Sequence, residues 1–178
     1  MKQILKILFL SIIITSFGCR SSQNMIDNST VKELDIEKYL GTWYEIARFD
    51  HRFERDMVGV TANYSWREDG KIKVINSGYK NSFAAPKDTA IGKAKIPNPD
   101  NPAHLKVSFF WIFYGDYFVM ELDENYEWAV VGSSSDQYLW ILSRTPKISD
   151  ELKQDLQNRI RERGYKVEDL IWVKQVEN

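Results

Sequence analysis

Few side chains in this sequence are suited to chemistry, and their spacing does not bring them together. The 178 residues include 1 Cys and 2 His. His51 lies in His-Arg-Phe-Glu-Arg, a charged stretch that reads as a surface or loop segment after a strand. His104 opens a strand after a Pro-rich run and has no evident partner. Glu45 and Glu121 could be inward carboxylates, but two distant glutamates do not make a glycosidase, whose carboxyls stand roughly 5–10 Å apart. No G-x-S-x-G, P-loop or H-E-x-x-H is present. A sole cysteine excludes an internal disulfide and a C-x-x-C site. No catalytic residue, metal ligand or cofactor is therefore assigned.

The composition points toward binding. Hydrophobic residues make up 43% and charged residues 28%, which is the composition of one globular domain. Aromatics reach 13%, with 6 Trp, 9 Tyr and 9 Phe. The formal net charge is −1, from 24 basic and 25 acidic residues. That balance argues against a nucleic-acid partner, which would call for a basic excess.

The cysteine is informative through its position. Lys2 and Lys6 precede a run from Ile7 to Ile14 that is apolar except for Ser11. The run is shorter than the ~20 residues of a membrane-spanning helix and reads as a secretory leader, residues 1–18. Gly18-Cys19 after such a run resembles the lipobox of bacterial lipoproteins, with Ser16 where leucine is usual. The resemblance implies a diacylglyceryl group on Cys19, cleavage before it and acylation of the new N-terminus. The membrane partner would then be reached through an N-terminal lipid anchor. Arg20 in place of aspartate favours the outer membrane, facing the periplasm. Residues 19–34 read as a lipidated tether, because Arg20 to Thr30 are mostly polar.

From Gly41 the pattern has period two. Strands are predicted over 42–50, 57–67, 71–80, 88–96, 103–110, 116–122, 126–133 and 137–144, separated by turn signals such as Glu68-Asp69-Gly70. A short helical turn over Asp35 to Leu40 precedes them. A helix capped by Ser149 and ended by Gly164 follows, with Leu152, Leu156 and Ile160 on one stripe. A last strand covers Leu170 to Gln175. The fold predicted for 35–178 is all-β: an eight-stranded antiparallel up-and-down barrel with one helix outside and a ninth strand. Such a barrel can hold one small ligand. Ala90, Gly92 and Ala94 share one face of the fourth strand while Lys93 and Lys95 share the other, so the small residues point inward and leave space.

Gly41-Thr42-Trp43-Tyr44-Glu45 resembles the GxW signature of the lipocalins, and the order of elements does too. YLGTWYEIARFDHRFE, Tyr39 to Glu54, is similar to the bacterial outer-membrane lipocalins. So are Leu105 to Phe110, Tyr138 to Pro146 and Ile171-Trp172-Val173. The resemblance implies that Gly41, Trp43 and Arg144 are a structural motif, with Arg144 laid across Trp43 at the closed end. If Arg144 faces inward, so do Tyr138, Trp140 and Leu142, with Leu139 and Ile141 outward. On the fifth strand Leu105, Val107 and Phe109 would face in. On the sixth, Tyr117 and Val119 share a face whose direction the pattern leaves open.

The ligand implied is a fatty acid or lysophospholipid. Its expected contacts are Ala90, Gly92, Leu105, Val107, Phe109, Tyr117, Tyr138 and Trp140, with Tyr114 near the polar head. The run Phe109 to Tyr114 reads either as strand core or as an apolar rim for lipid or a partner. A lipid-acting enzyme on the same barrel and an interaction module that pairs as a homodimer stand as alternatives.

Overall fold

The computed structural model describes residues 26–176; residues 1–18, Cys19 and the first part of the expected tether lie outside the described residues. The elements are α1 (Ile36–Tyr39), β1 (Gly41–Arg48), β2 (Met57–Trp66), β3 (Ile72–Lys80), β4 (Lys87–Lys95) and β5 (His104–Phe110). They continue with β6 (Phe113–Leu122), β7 (Trp128–Gly132), β8 (Leu139–Ser143), α2 (Asp150–Glu162) and β9 (Ile171–Trp172). Each strand from β2 to β8 pairs antiparallel with the next, and β1 pairs with both β8 and β2 to close the barrel. The pairing of β1 with β2 stops at Tyr44 and Thr61, and β9 takes the edge beyond it through Ala47 and Arg48. This is the barrel, outer helix and ninth strand that the alternation predicts.

Most strand ends shift by one or two residues, and the last strand is shorter than predicted, Ile171–Trp172. Two differences bear on the site. β6 begins at Phe113, earlier than the predicted 116, because Phe110 and Phe113 pair across a two-residue turn. Residues 26–34, expected within the tether, are held along the barrel instead. The Asp27 N–H donates to Arg163 O (2.8 Å), the Val31 N–H donates to Val119 O (2.9 Å), and Leu34 is buried. Ile26, Val31 and Leu34 supply enough apolar surface to dock an otherwise polar stretch.

The closed end is built from the chain's first elements. Asp35 Oδ1 accepts from the Glu37 and Lys38 N–H groups (3.0 and 3.4 Å), which caps the single turn of α1. Gly41 follows at φ +92°, a backbone region that favours glycine, and a Cβ there would lie 3.4 Å from Arg144 Nη1. Trp43 is fully buried, and its Nε1 donates to Tyr39 O (2.8 Å). The Arg144 guanidinium stands 3.7 Å from the Trp43 ring centre. It donates to four carbonyls: Lys38 (2.6 Å), Leu40 (2.9 Å), Thr42 (2.9 Å) and Tyr126 (3.2 Å). Burial lowers its pKa from the usual arginine value. Tyr39, Tyr64, Ile72, Val74, Ala94, Leu105 and Leu142 fill the space above the indole.

A second core lies outside the barrel. Leu156 and Ile160 of α2 are fully buried against a cluster that includes Ile46, Met120, Leu139 and Ile141. The outward parity predicted for Leu139 and Ile141 is thus used to seat the helix.

Trp43→Ala should cost ~3–5 kcal/mol of stability as a buried aromatic truncation. In a double-mutant cycle by chemical denaturation, Trp43→Ala and Arg144→Ala should be less than additive, because the two side chains touch. Strict additivity would contradict a shared plug.

Candidate ligand cavity

Above this core the barrel encloses a cavity of about 850 Å³. That is the size range of sites for small organic ligands, ~300–1,000 Å³. Its wall includes Val60, Ala62, Val74, Val107, Val131 and Leu142. Its floor is polar but satisfied: Tyr117 Oη is 2.7 Å from Tyr39 Oη and 2.9 Å from Tyr64 Oη. Burial raises the pKa of all three phenols above the usual tyrosine value, so they stay protonated. At the mouth, Tyr138 and Trp140 stack with ring centres 6.0 Å apart, facing Phe53, Phe109 and Phe110.

Of the expected ligand contacts, Ala90, Val107, Phe109, Tyr117, Tyr138 and Trp140 line this cavity. Three do not. Leu105 is buried in the closed-end core, at a level that aromatic side chains already fill. The space beside Gly92 is occupied rather than open: a Cβ there would meet Ser108 O at 2.7 Å and the Phe109 ring at 2.8 Å. The small face of β4 therefore serves two purposes, with Ala90 bounding the cavity and Gly92 and Ala94 admitting close packing. Tyr114 lies on the outer face, where Lys93 Nζ and Lys95 Nζ stand 5.8 and 4.8 Å from its ring centre. Gly115, paired with Val107 and two residues before Tyr117, holds the inward position, which leaves Tyr114 outside.

A charged cluster that the alternation concealed sits beside the mouth. Strict period two from Trp43 would put Glu45 inward and Arg48 outward. A register shift between Glu45 and Ala47 in the pairing with β8 turns Arg48 inward as well. Arg48 is 1% exposed. Its Nη1 donates to Glu45 Oε1 (2.7 Å), and its Nη2 donates to the carbonyls of Glu54 (2.6 Å) and Met57 (3.3 Å).

His51, read above as a surface or loop residue, is loop-borne but buried at 8% exposure. The β1–β2 connection folds back over the mouth and packs its ring 5.3 Å from Trp140 and 5.6 Å from Tyr138. His51 Nε2 lies 3.0 Å from Glu54 Oε2, and Trp140 Nε1 donates to the same oxygen (3.1 Å). Connections carry no period, so only the fold could place these residues.

The two glutamates differ in electrostatic state. Burial pushes the Glu45 carboxyl well above its usual pKa, helped by the nearby Glu54 charge and opposed by Arg48. Burial also opposes ionisation of Glu54, but contacts from His51, Trp140 and Arg48 outweigh it and hold that pKa below the usual value. The two carboxyls beside one buried arginine are thus shifted in opposite directions, Glu45 toward holding a proton and Glu54 toward losing it.

The other candidates lie elsewhere. Glu121 pairs with Arg163 (2.7 Å) and Arg159 (3.5 Å) of the outer helix region rather than facing the cavity. His104, for which the sequence suggested no partner, has Nε2 2.7 Å from Asp116 Oδ1. Among the described residues, no three His, Cys, Asp or Glu side chains converge in a way that could hold a metal ion.

A family model described as a Lipocalin-like domain matches residues 34–175. The chain is 52% identical over 147 residues to "Outer membrane lipoprotein Blc" of Citrobacter freundii, covering 83% of this chain and 82% of that protein. The protein of the same name in Escherichia coli strain K12 is 50% identical over the same length, with the same coverage. Among solved structures, insecticyanin of the tobacco hornworm Manduca sexta shares the fold at a TM-score of 0.65 and 20% identity, over 83% of this chain and 84% of that one.

The electrostatics predict the effect of Glu45→Gln, which keeps the shape of a protonated glutamate. A raised carboxyl pKa favours folding where Glu45 is protonated and penalises it as pH rises above the unfolded value of about 4.5. Wild type should therefore lose stability over that rise, and Glu45→Gln should lose less. Denaturation midpoints measured across pH check this. An equal loss of stability with rising pH in the two proteins would contradict a raised Glu45 pKa.

Proposed function

Since the chain belongs to the lipocalin family, we propose that it is an outer-membrane lipoprotein whose barrel holds a fatty acid or lysophospholipid. The observation that carries the reading is the cavity: its wall is largely apolar, and its polar groups are the tyrosine floor, a stretch of β2 to β4 that includes Thr61, Asn76 and Thr89, and the charged mouth. Burying an acyl chain contributes ~0.8 kcal/mol per methylene, so about sixteen methylenes exceed the cost of association. The acyl chain lies along Val60, Val107, Val131 and Leu142. The polar head stays at the mouth, near Trp140 and the Arg48–Glu54 cluster, where charge is already compensated.

The relatives named outer membrane lipoprotein support the location. The anchor is the acylated Cys19, with the barrel on the periplasmic side. On this reading the protein carries or stores lipid for the envelope and performs no catalysis.

Ala90→Phe places a ring in open volume. A fluorescent fatty acid should bind roughly tenfold more weakly to that variant, a loss of about 1.4 kcal/mol. The melting temperature should change little, because no protein atoms are displaced. A large stability loss without a change in affinity would indicate a packed interior and reject the cavity as the site.

Cys19→Ser should abolish metabolic labelling with radioactive palmitate and leave the chain uncleaved or released from the envelope. A mutant that is cleaved and still sediments with membranes as wild type does would reject the anchor.

A further inference from the structure

The β5–β6 hairpin ends in an apolar tip that nothing in the barrel covers. Phe110, Trp111, Ile112 and Phe113 are 80%, 83%, 68% and 73% exposed. Phe53, on the neighbouring connection at the mouth, is 68% exposed. Five large apolar side chains clustered at one end of a barrel exceed what isolated surface residues explain. Phe53, Phe110 and Phe113 also line the cavity, so the tip continues its apolar wall outward, whereas Trp111 and Ile112 belong to the tip alone.

The backbone makes the same point. Trp111 has φ +47°, a conformation that bulky residues rarely adopt and that a two-residue hairpin turn normally gives to glycine or asparagine. The turn thus holds an exposed indole in a costly backbone conformation. Neither packing nor hydrogen bonding within the described residues accounts for it.

The N-terminal segment starts near the same end. Asn28 Nδ2 donates to the carbonyl of Ser133 (3.4 Å), in the β7–β8 connection that borders the cavity mouth. Cys19 stands seven residues before Ile26, a reach of at most ~25 Å. An anchor there holds the mouth close to the bilayer. Tryptophan and flanking apolar residues are the side chains that settle at a membrane interface.

We infer that the β5–β6 tip, led by Trp111 and Ile112, inserts into the surface of the lipid bilayer and seats the cavity mouth on it, so that a single-chain lipid passes between membrane and barrel without crossing water. This deepens the lipid-binding reading and rests on it, together with the Cys19 anchor. The occupant of the patch is the bilayer; a second copy of the chain is the competing outcome.

The test uses the acylated full chain in vesicles of phosphatidylethanolamine and phosphatidylglycerol that carry bromine on the upper acyl segment. Bromine should quench part of the tryptophan emission of wild type, and Trp111→Phe should lose most of that quenching. Equal quenching in the two proteins would overturn the inference. So would a dimer in the membrane that shields Trp111 from bromine.

A second arm compares wild type with the pair Trp111→Gly and Ile112→Ser, in which glycine suits the turn and preserves the hairpin. Transfer of a fluorescent fatty acid from vesicle to protein should slow roughly fivefold or more. Affinity for the same fatty acid offered from cyclodextrin should stay unchanged. Unaltered transfer, or an equal loss in both assays, would overturn the inference. Absence of binding from cyclodextrin in wild type would instead reject the cavity reading, while the bromine result would still report on the hairpin.

Discussion

The guanidinium of Arg144 lies flat on the indole of Trp43 and donates to four carbonyls drawn from α1, its C-terminal cap, β1 and the β6–β7 turn. An eight-stranded barrel closes its sheet but leaves two open ends. This contact seals one of them with a cation that needs donors satisfied and a ring that needs burial. It also fixes which side chains of β8 and β1 point inward. Leu142 then completes the core over the plug, Trp140 reaches the cavity, and Ile141 is left outside for α2. With one end filled, empty volume is confined to the other, so the mouth is where a ligand and a membrane can meet.

At the mouth the design is electrostatic. The irregularity in β1 brings Arg48 to the same side as Glu45, which strict alternation would not. A buried arginine is tolerable only if its partners compensate it, and here two glutamates and two carbonyls do so. A proton taken up by the cluster goes first to Glu45, whose pKa is raised where that of Glu54 is lowered. His51 and Trp140 both reach Glu54, which ties the β1–β2 connection to the stacked aromatic pair on β8. The rim is therefore pre-organised on the β1–β2 side and left apolar and uncovered on the hairpin side.

How far the sequence could be read follows from these features. Period-two alternation gave the strands because each wall residue has a neighbour that faces the other way. The GxW resemblance gave the plug because Gly41, Trp43 and Arg144 meet through backbone constraints that few other residues satisfy. Ala90, Val107 and Trp140 followed from parity. Parity failed where the backbone departs from it, at the bulge that turns Arg48 inward. At Tyr114 it holds, because Gly115 and Tyr117 face in and leave Tyr114 outside, and the expected head-group contact there rested on its place at the rim alone. Residue size also misled at Gly92, because a missing side chain records a close approach as readily as a void, and here the Phe109 ring makes that approach. His51 and Glu54 lie in a connection, where no periodic signal exists. Residues 26–34 look polar overall, yet Ile26, Val31 and Leu34 are enough to dock them.

The central claim is that the barrel interior is an acyl-chain site. Native mass spectrometry of the acylated protein, released from membranes in mild detergent with no lipid added, tests it most directly. The account predicts a bound population heavier than the acylated chain by the mass of one single-chain lipid, lost together with its fragments on activation. Acylated protein with no bound acyl species, under conditions that preserve lipid complexes of comparable barrels, would contradict it.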